Sequence, residues 1–207
     1  MPSQSATNLT QTHYLIATSE REVLSGHRGI VVWMTGLSGA GKSSIAVGLD
    51  QFLNQQRQRS FILDGDNLRS GLCADLSFSD KDRHENIRRA GEVAKLMAEA
   101  GLVVICALIS PFAADRHMVR ESCEKSSVPF MEIFINAPLE VCEHRDPKHL
   151  YQRARAGTIS GFTGIDSPYE APIKPELELR TDLNTLGECI HQLAICILEK
   201  TKLNPST

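Results

Sequence analysis

Aromatic residues are scarce in this chain of 207 residues: Phe, Trp and Tyr together make up 5%, with Trp33 the single tryptophan. Positive charge is not in surplus either, since Lys+Arg 22 stand against Asp+Glu 25 for a formal net charge of −3. That balance excludes a nucleic-acid binder working through a general basic surface, which needs excess Lys and Arg to neutralise phosphates. Long apolar runs are missing as well. The longest, from Gly101 through Leu108 to Phe112, falls far short of the roughly 20 residues a bilayer requires, so no membrane partner is expected. The first residues lack a basic start followed by an apolar core, so a secretory signal is not read there and a cytoplasmic location is expected. Cys73, Cys106, Cys123, Cys142, Cys189 and Cys196 form no C-x-x-C pair and no zinc spacing with histidine, which makes them candidates for buried free thiols.

What is present fits a globular chain, with 42% hydrophobic and 23% charged residues giving enough apolar material for a packed core. The length suits one domain of about 150–200 residues with a short extension. Residues 1–28 are polar and aperiodic and read as an N-terminal arm; residues 29–203 read as the domain. Within it, short apolar runs alternate with amphipathic stretches. Ile30–Thr35 (IVVWMT), Phe61–Leu63, Leu102–Leu108, Phe130–Ile135 and Leu177–Arg180 predict five strands.

Between these strands, Ser43–Gln56 places Ile45, Ala46, Leu49, Phe52 and Leu53 on one helical face. Asp82–Ala100 does the same with Ile87, Ala90, Val93, Ala94 and Met97, and Gly101 stands where a helix should stop. Ala113–Ser126, Pro138–Arg145 and Thr185–Leu198 predict the remaining helices. Within the Asp82 helix, Arg88 and Glu92 are spaced as an ordinary surface pair. Residues 146–176 break the rhythm with four prolines and three glycines, and a loop of that length suggests a lid over a site. Strands alternating with helices predict a mainly parallel five-stranded α/β sheet covered on both faces, a three-layer arrangement.

Gly36-Leu37-Ser38-Gly39-Ala40-Gly41-Lys42-Ser43 matches G-x-x-x-x-G-K-[ST] and lies after a predicted strand, opening a predicted helix. Glycines there permit a tight turn whose backbone N–H groups form an anion nest at a helix N-terminus. Lys42 can reach β- and γ-phosphates, and the Ser43 hydroxyl can ligate Mg²⁺. The fold class is therefore that of a P-loop NTPase, and a nucleoside triphosphate is the expected ligand. No guanine-reading N-K-x-D occurs, and a small domain with a lid suits a small-molecule kinase that must keep water from its γ-phosphate.

Asp64-Gly65-Asp66-Asn67-Leu68-Arg69 follows the second strand, where carboxylates face the ligand crevice of an open parallel sheet. One can organise Mg²⁺ and the other can orient or deprotonate a hydroxyl; a solvated turn with a helix N-cap is the plainer use of the same residues. Arg83 and Asn86, three apart, suit a phosphate or sulfate oxygen and a base or ribose edge.

Together these blocks resemble the adenylyl-sulfate kinase (APS kinase) family. GLSGAGKS at 36–43, DGDNLRSGL at 64–72, FSDKDRHENIRR at 78–89 and GEVAKLMAEAG at 91–101 carry the likeness. So do ISPF at 109–112, APLEVCEHRDPKHLY at 137–151, ARAGTISGFTGIDSPYE at 154–170 and PELELRT at 175–181. The resemblance spans about residues 29–200, and the order and spacing of its blocks make it specific.

It implies Mg²⁺-dependent transfer of the ATP γ-phosphoryl group to the 3′-hydroxyl of adenosine 5′-phosphosulfate, in a homodimer. Lys42, Asp66 and Ser110 are the catalytic residues it implies, with Ser43 and Asp64 as metal ligands. Asp66, Asn67, Leu68, Arg69, Phe78, Arg83, Asn86, Ile109, Ser110, Lys148, Gly161 and Phe162 are its acceptor residues, Phe78 and Phe162 holding the adenine between their faces. Gly36, Gly39, Ala40, Gly41, Lys42, Ser43, Ser44 and Asn184 are its ATP residues. In related bacterial enzymes the serine at 110 is assigned as a phosphorylated residue, which implies a phosphoprotein. A direct in-line transfer needs no covalent step, however, and binding of acceptor by the hydroxyl stands beside that role. A non-catalytic nucleotide-sensing domain, or a kinase for another small acceptor such as a nucleoside monophosphate, are the alternatives.

Overall fold

The run IVVWMT forms strand β1 (Ile30–Thr35), buried at all six positions because it lies in the middle of the sheet. The computed structural model describes residues 15–203. Before β1 comes helix α1 (Thr18–Ser25); after it follow α2 (Lys42–Gln55), β2 (Ser60–Asp64), α3 (Gly65–Ser70), α4 (Asp80–Glu99), β3 (Val103–Ala107) and α5 (Ala113–Lys125). The chain then makes β4 (Phe130–Asn136), α6 (Leu139–Arg145), α7 (Leu150–Arg155), β5 (Leu177–Arg180) and α8 (Leu186–Lys200). The strand order is β2-β3-β1-β4-β5 and every neighbouring pair is parallel. Parallel neighbours need crossover connections, so the helices cover both faces as the alternating pattern predicts.

Alternation along β1 divides the core in two. Ile30, Val32 and Met34 join α2, α6, α7 and α8 through Ile45, Leu49, Leu53, Cys142, Tyr151, Leu193 and Ile197. Val31 and Trp33 point the other way, onto α3, α4 and α5 with Leu68, Ile87, Ala90, Ala94, Val119 and Cys123. Gly91 permits close approach of α4 to α5, since a Cβ there would meet Val119 Cγ2 at 2.7 Å. The strand ends Thr35, Asp64 and Ala107 share one edge, where an open parallel sheet presents its ligands.

Several expectations are corrected. The arm predicted over 1–28 contains α1, closed by Gly26 at φ 73°; residues 1–14 of the arm lie outside the described residues. The interval 146–176 is not loop throughout, because Asp146 accepts from the amides of Leu150, Tyr151 and Gln152 and so starts α7. α4 begins at Asp80, capped by the Ser79 hydroxyl, two residues ahead of the predicted start. Arg88 pairs with Glu85 rather than Glu92, and Arg89 joins it; the two guanidinium groups hold Glu85 down at about 2. Glu92 instead accepts from Lys95 and Ser122. All six cysteines are free, and five are buried, as expected of a core without disulfides. Among the described residues no helix is long and apolar enough to cross a membrane.

Candidate active site

The chain leaves β1 at Thr35 and turns through Gly36–Gly41 into α2, whose first residue is Lys42. Gly39 and Gly41 take left-handed φ values of 74° and 106°. A Cβ at Gly39 would meet the Cys142 carbonyl oxygen at 2.9 Å, so this turn admits only glycine. The loop carbonyls are engaged by surrounding side chains: Tyr151 donates to Ser38 O at 3.0 Å, Thr181 to Ala40 O at 2.7 Å and Arg145 to Gly39 O at 3.4 Å. The 14-residue helix α2 has no side-chain cap, so its first amides are free for an anion.

Lys42 Nζ donates to Gly36 O and Leu37 O, both at 2.8 Å. Burial lowers its pKa to about 8, partly opposed by nearby acidic groups including Asp64 and Asp66. Ser43 Oγ donates to Asp64 Oδ2 at 2.7 Å, joining the start of α2 to the end of β2. The same carboxylate caps α3 by accepting from Asp66 N at 3.0 Å, so the N-cap role and the loop contact coexist. A hydroxyl and a carboxylate side by side supply only hard oxygen donors, the chemistry Mg²⁺ takes when phosphates and water complete its shell. Ser43 and Asp64 fit that ion.

Opposite the loop, Arg69 stacks on the Phe78 ring at 4.3 Å from its centroid, and Arg83 Nε donates to Phe78 O at 2.9 Å. Phe78 is 63% exposed, far more than a core phenylalanine. Arg83 also reaches across to the lid, donating to Thr163 Oγ1 at 2.9 Å and Gly161 O at 2.5 Å. Phe162 is half-buried, edge-on to Tyr151 at 4.9 Å between centroids. The Asp166 carboxylate accepts from the amides of Gly161 and Phe162 at 2.7 and 2.6 Å, fixing that turn. Lys148 forms an ion pair with Asp66, bringing lid and strand end together. Asn86 is 3% exposed and its Nδ2 has no hydrogen-bond partner among the described residues, a buried donor costly to leave unmet.

Ser110 follows β3 and has φ 39°, a left-handed conformation that costs a non-glycine residue on the order of 1 kcal/mol. Its Oγ accepts from Trp33 Nε1 at 3.1 Å, and Thr35 Oγ1 donates to the neighbouring Ile109 carbonyl at 2.7 Å. Asn184 Nδ2 donates to Arg180 O at 2.9 Å.

A single cavity of about 820 Å³ takes in most of the expected residues. Gly39, Gly41, Lys42, Ser43, Ser44, Asp64 and Asn184 line its donor side; Asp66, Arg69, Phe78, Arg83, Asn86, Ile109, Ser110, Lys148 and Phe162 line the other. Gly36, Ala40 and Gly161 stand behind the wall, where they contribute backbone carbonyls to Lys42, Thr181 and Arg83 respectively. Leu68 is a correction: it belongs to the second core cluster, and Asn67 beside it is an exposed residue outside the lining. Sequence reasoning missed Arg145, Thr181 and Thr163, all in the wall. Arg145 had one faint signal, a basic residue in the last turn of a helix before Asp-Pro. Thr163 had none, because its contact with Arg83 joins residues 80 apart.

A glycine cradle opening α2, a buried lysine and a second, aromatic-walled half of the same cavity define a P-loop phosphotransferase of the small-molecule kinase class. The family model described as Adenylylsulphate kinase matches residues 28–180. The adenylyl-sulfate kinase of Marinobacter nauticus is 51% identical over 193 residues, covering 93% of this chain and 96% of its own. That of an Enterobacter species is 57% identical over 164 residues, 79% of this chain and 81% of its own. Among solved structures, the Mycobacterium tuberculosis APS kinase in complex with AMPPNP and APS superposes with TM-score 0.80 at 48% identity, over 83% of this chain and 98% of that one. The chain belongs to the adenylyl-sulfate kinase family.

Proposed function

We infer that this chain transfers the γ-phosphoryl group of ATP to the 3′-hydroxyl of adenosine 5′-phosphosulfate, yielding 3′-phosphoadenosine 5′-phosphosulfate and ADP. The observation that carries this reading is the shared cavity, in which Lys42 and the loop face Phe78 and Phe162. At about 820 Å³ it lies within the range of small-molecule sites, and a wall with both a phosphate cradle and an aromatic pair suits two nucleotides placed end to end.

On the donor side, the α2 amides and Lys42 bind the β- and γ-phosphates, and Lys42 exchanges its two carbonyl partners for phosphate oxygens. Ser43 and Asp64 hold Mg²⁺, which when bound neutralises charge on the transferring group. Arg145 and Asn184 flank the place left for the ATP base. On the acceptor side, Phe78 and Phe162 stack on the adenine, worth about 1–3 kcal/mol per base in comparable sites. Arg83 and Asn86 donate to the acceptor, and the amide of Asn86 gains the partner it otherwise lacks. Lys148 leaves Asp66 for the phosphosulfate, freeing the carboxylate to orient the 3′-hydroxyl and take its proton. The γ-phosphorus–oxygen bond to ADP breaks as the bond to the 3′-oxygen forms; positioning and charge stabilisation supply the rate. Ser110 serves acceptor binding at the cavity wall, where its oxygen accepts from Trp33, and a direct in-line transfer needs no phosphoserine.

The remaining assignments are a homodimer, a cytoplasmic location, residues 1–28 as an arm and residues 146–176 as a lid over the acceptor. A coupled ADP-release assay with ATP, Mg²⁺ and either adenosine 5′-phosphosulfate or AMP tests the function. Turnover with the phosphosulfate and little with AMP is expected; preference for AMP overturns it. Light scattering on the purified protein reads the dimer directly.

A further inference from the structure

Basic side chains tie the interval 146–176 to the body of the molecule, and they differ in what they face. Arg83 on Gly161 and Thr163 lines the cavity, and so does Lys148 on Asp66. Arg116 does not line it: on α5 and 3% exposed, it is a buried guanidinium that the reaction above does not use. Its donors go three ways. Nη1 donates to the Ser110 carbonyl at 2.8 Å, Nη2 to the Glu170 carbonyl at 2.7 Å, and Nε to Glu132 Oε1 at 2.6 Å.

Around it, the turn after β3 and the far end of the lid are laced together. Glu170 N donates to Pro111 O at 2.9 Å, the Glu170 carboxylate accepts from Ala113 N at 2.6 Å, and Tyr169 shares a hydrogen bond with Thr35 at 3.0 Å. Beyond them Arg120 forks onto Glu176 at 2.7 and 2.8 Å, just ahead of β5. Ser110 sits in a left-handed conformation its side chain does not favour, so something must hold it there. A planar guanidinium is suited to that: it can bridge two carbonyls and a carboxylate at fixed angles, as an ammonium cannot.

We propose that Arg116 is a positioning residue for the acceptor half of the site, clamping the root of the lid at Glu170 to the strained Ser110 turn. This rests on the kinase reading above. The two contacts that line the cavity exchange partners when acceptor enters, and Arg116 keeps the root fixed while they do. Displacing a bound substrate by about 1 Å can lower the rate on the order of a hundredfold, so a clamp remote from the chemistry matters for the acceptor and not for ATP.

The test is Arg116→Lys, which keeps the charge beside Glu132 but not the three-way geometry. A rise of about tenfold or more in KM for adenosine 5′-phosphosulfate, with KM for ATP within about twofold, is expected even though the buried carbonyls left unmet lower the thermal midpoint. Equal rises in both constants, or none in either, overturn the clamp. Hydrogen exchange of the unliganded wild-type protein gives a second measurement that needs neither a variant nor turnover. The Glu170 amide is expected to exchange far more slowly than those of Ile159 and Ser160, and equally fast exchange defeats the proposal even where Arg116→Lys does not fold. Absence of wild-type turnover on the phosphosulfate would instead strike the acceptor assignment, leaving the exchange contrast to decide the clamp.

Discussion

The indole of Trp33 donates to the hydroxyl oxygen of Ser110 at 3.1 Å across the buried end of β1. Among the described residues it is the hydroxyl's sole hydrogen-bond partner, with no imidazole or carboxylate placed to remove the proton. Ser110→Ala is therefore expected to lower kcat/KM by no more than about tenfold, the size of one hydrogen bond. Loss of about 10⁴-fold or more, as when a covalent nucleophile is removed, would require a phosphoserine intermediate. The same variant strands the Trp33 N–H, so a stability loss of about 1–3 kcal/mol should appear in the melting curve.

Lys42 predicts opposite effects on stability and function. Its folded pKa of about 8 lies below the ordinary 10.5, so between these values the unfolded chain binds more protons and stability rises with pH. Below pH 8 the whole penalty for the buried charge applies, on the order of 3 kcal/mol. Lys42→Met should abolish turnover yet raise the melting temperature at pH 7, with the gain shrinking from pH 8 to 10.5. In the wild type, ATP affinity should fall above pH 8, because the ammonium must be recharged to meet phosphate. Calorimetry in two buffers of different ionisation heat would register the proton uptake; its absence at pH 8.5 would contradict the assignment.

Phe78 and Phe162 separate by their other contacts. Phe78 is 63% exposed and rests on Arg69, whereas Phe162 packs against the first core cluster and edge-on to Tyr151. Replacing either by alanine should raise KM for the acceptor by about 5- to 150-fold if each stacks on the base. Only Phe162→Ala should also lower the melting temperature. A Phe78→Ala variant with unchanged acceptor KM would remove the sandwich from the mechanism.

Thiol titration offers a check on the core. Burial pushes Cys106 up strongly and Cys123 to about 11, and Cys196 alone is partly accessible. One thiol at most should react with a disulfide reagent in the native protein and six in denaturant. Rapid reaction of two or more native thiols would mean a looser core.

The long elements were legible in the chain because burial imposes a period. β1 and β3 read as continuous apolar runs, and α2, α4 and α8 as apolar faces several turns long. α3 and α7, each six residues, are too short for a period to emerge, and they exist because Asp64 and Asp146 cap them. The Arg88 pairing went astray because spacing on a helix cannot choose between neighbours three and four residues away. The loop could be named from its motif, and the two phenylalanines from the family resemblance. Arg116 could not, since its three partners come from segments 6, 16 and 54 residues distant.

The division of the interior along β1 reaches beyond packing. The phosphate cradle grows from the layer of α2 and α8, whereas Arg69, Arg83 and Asn86 stand on helices of the opposite layer. Most of acceptor recognition thus stands across the sheet from the grip on ATP, with Phe162 the exception because it packs on the donor's own layer. Redesigning the wall of α3 and α4 for a different nucleotide would leave the grip on ATP standing, so one half of this molecule can drift in specificity while the other keeps its chemistry.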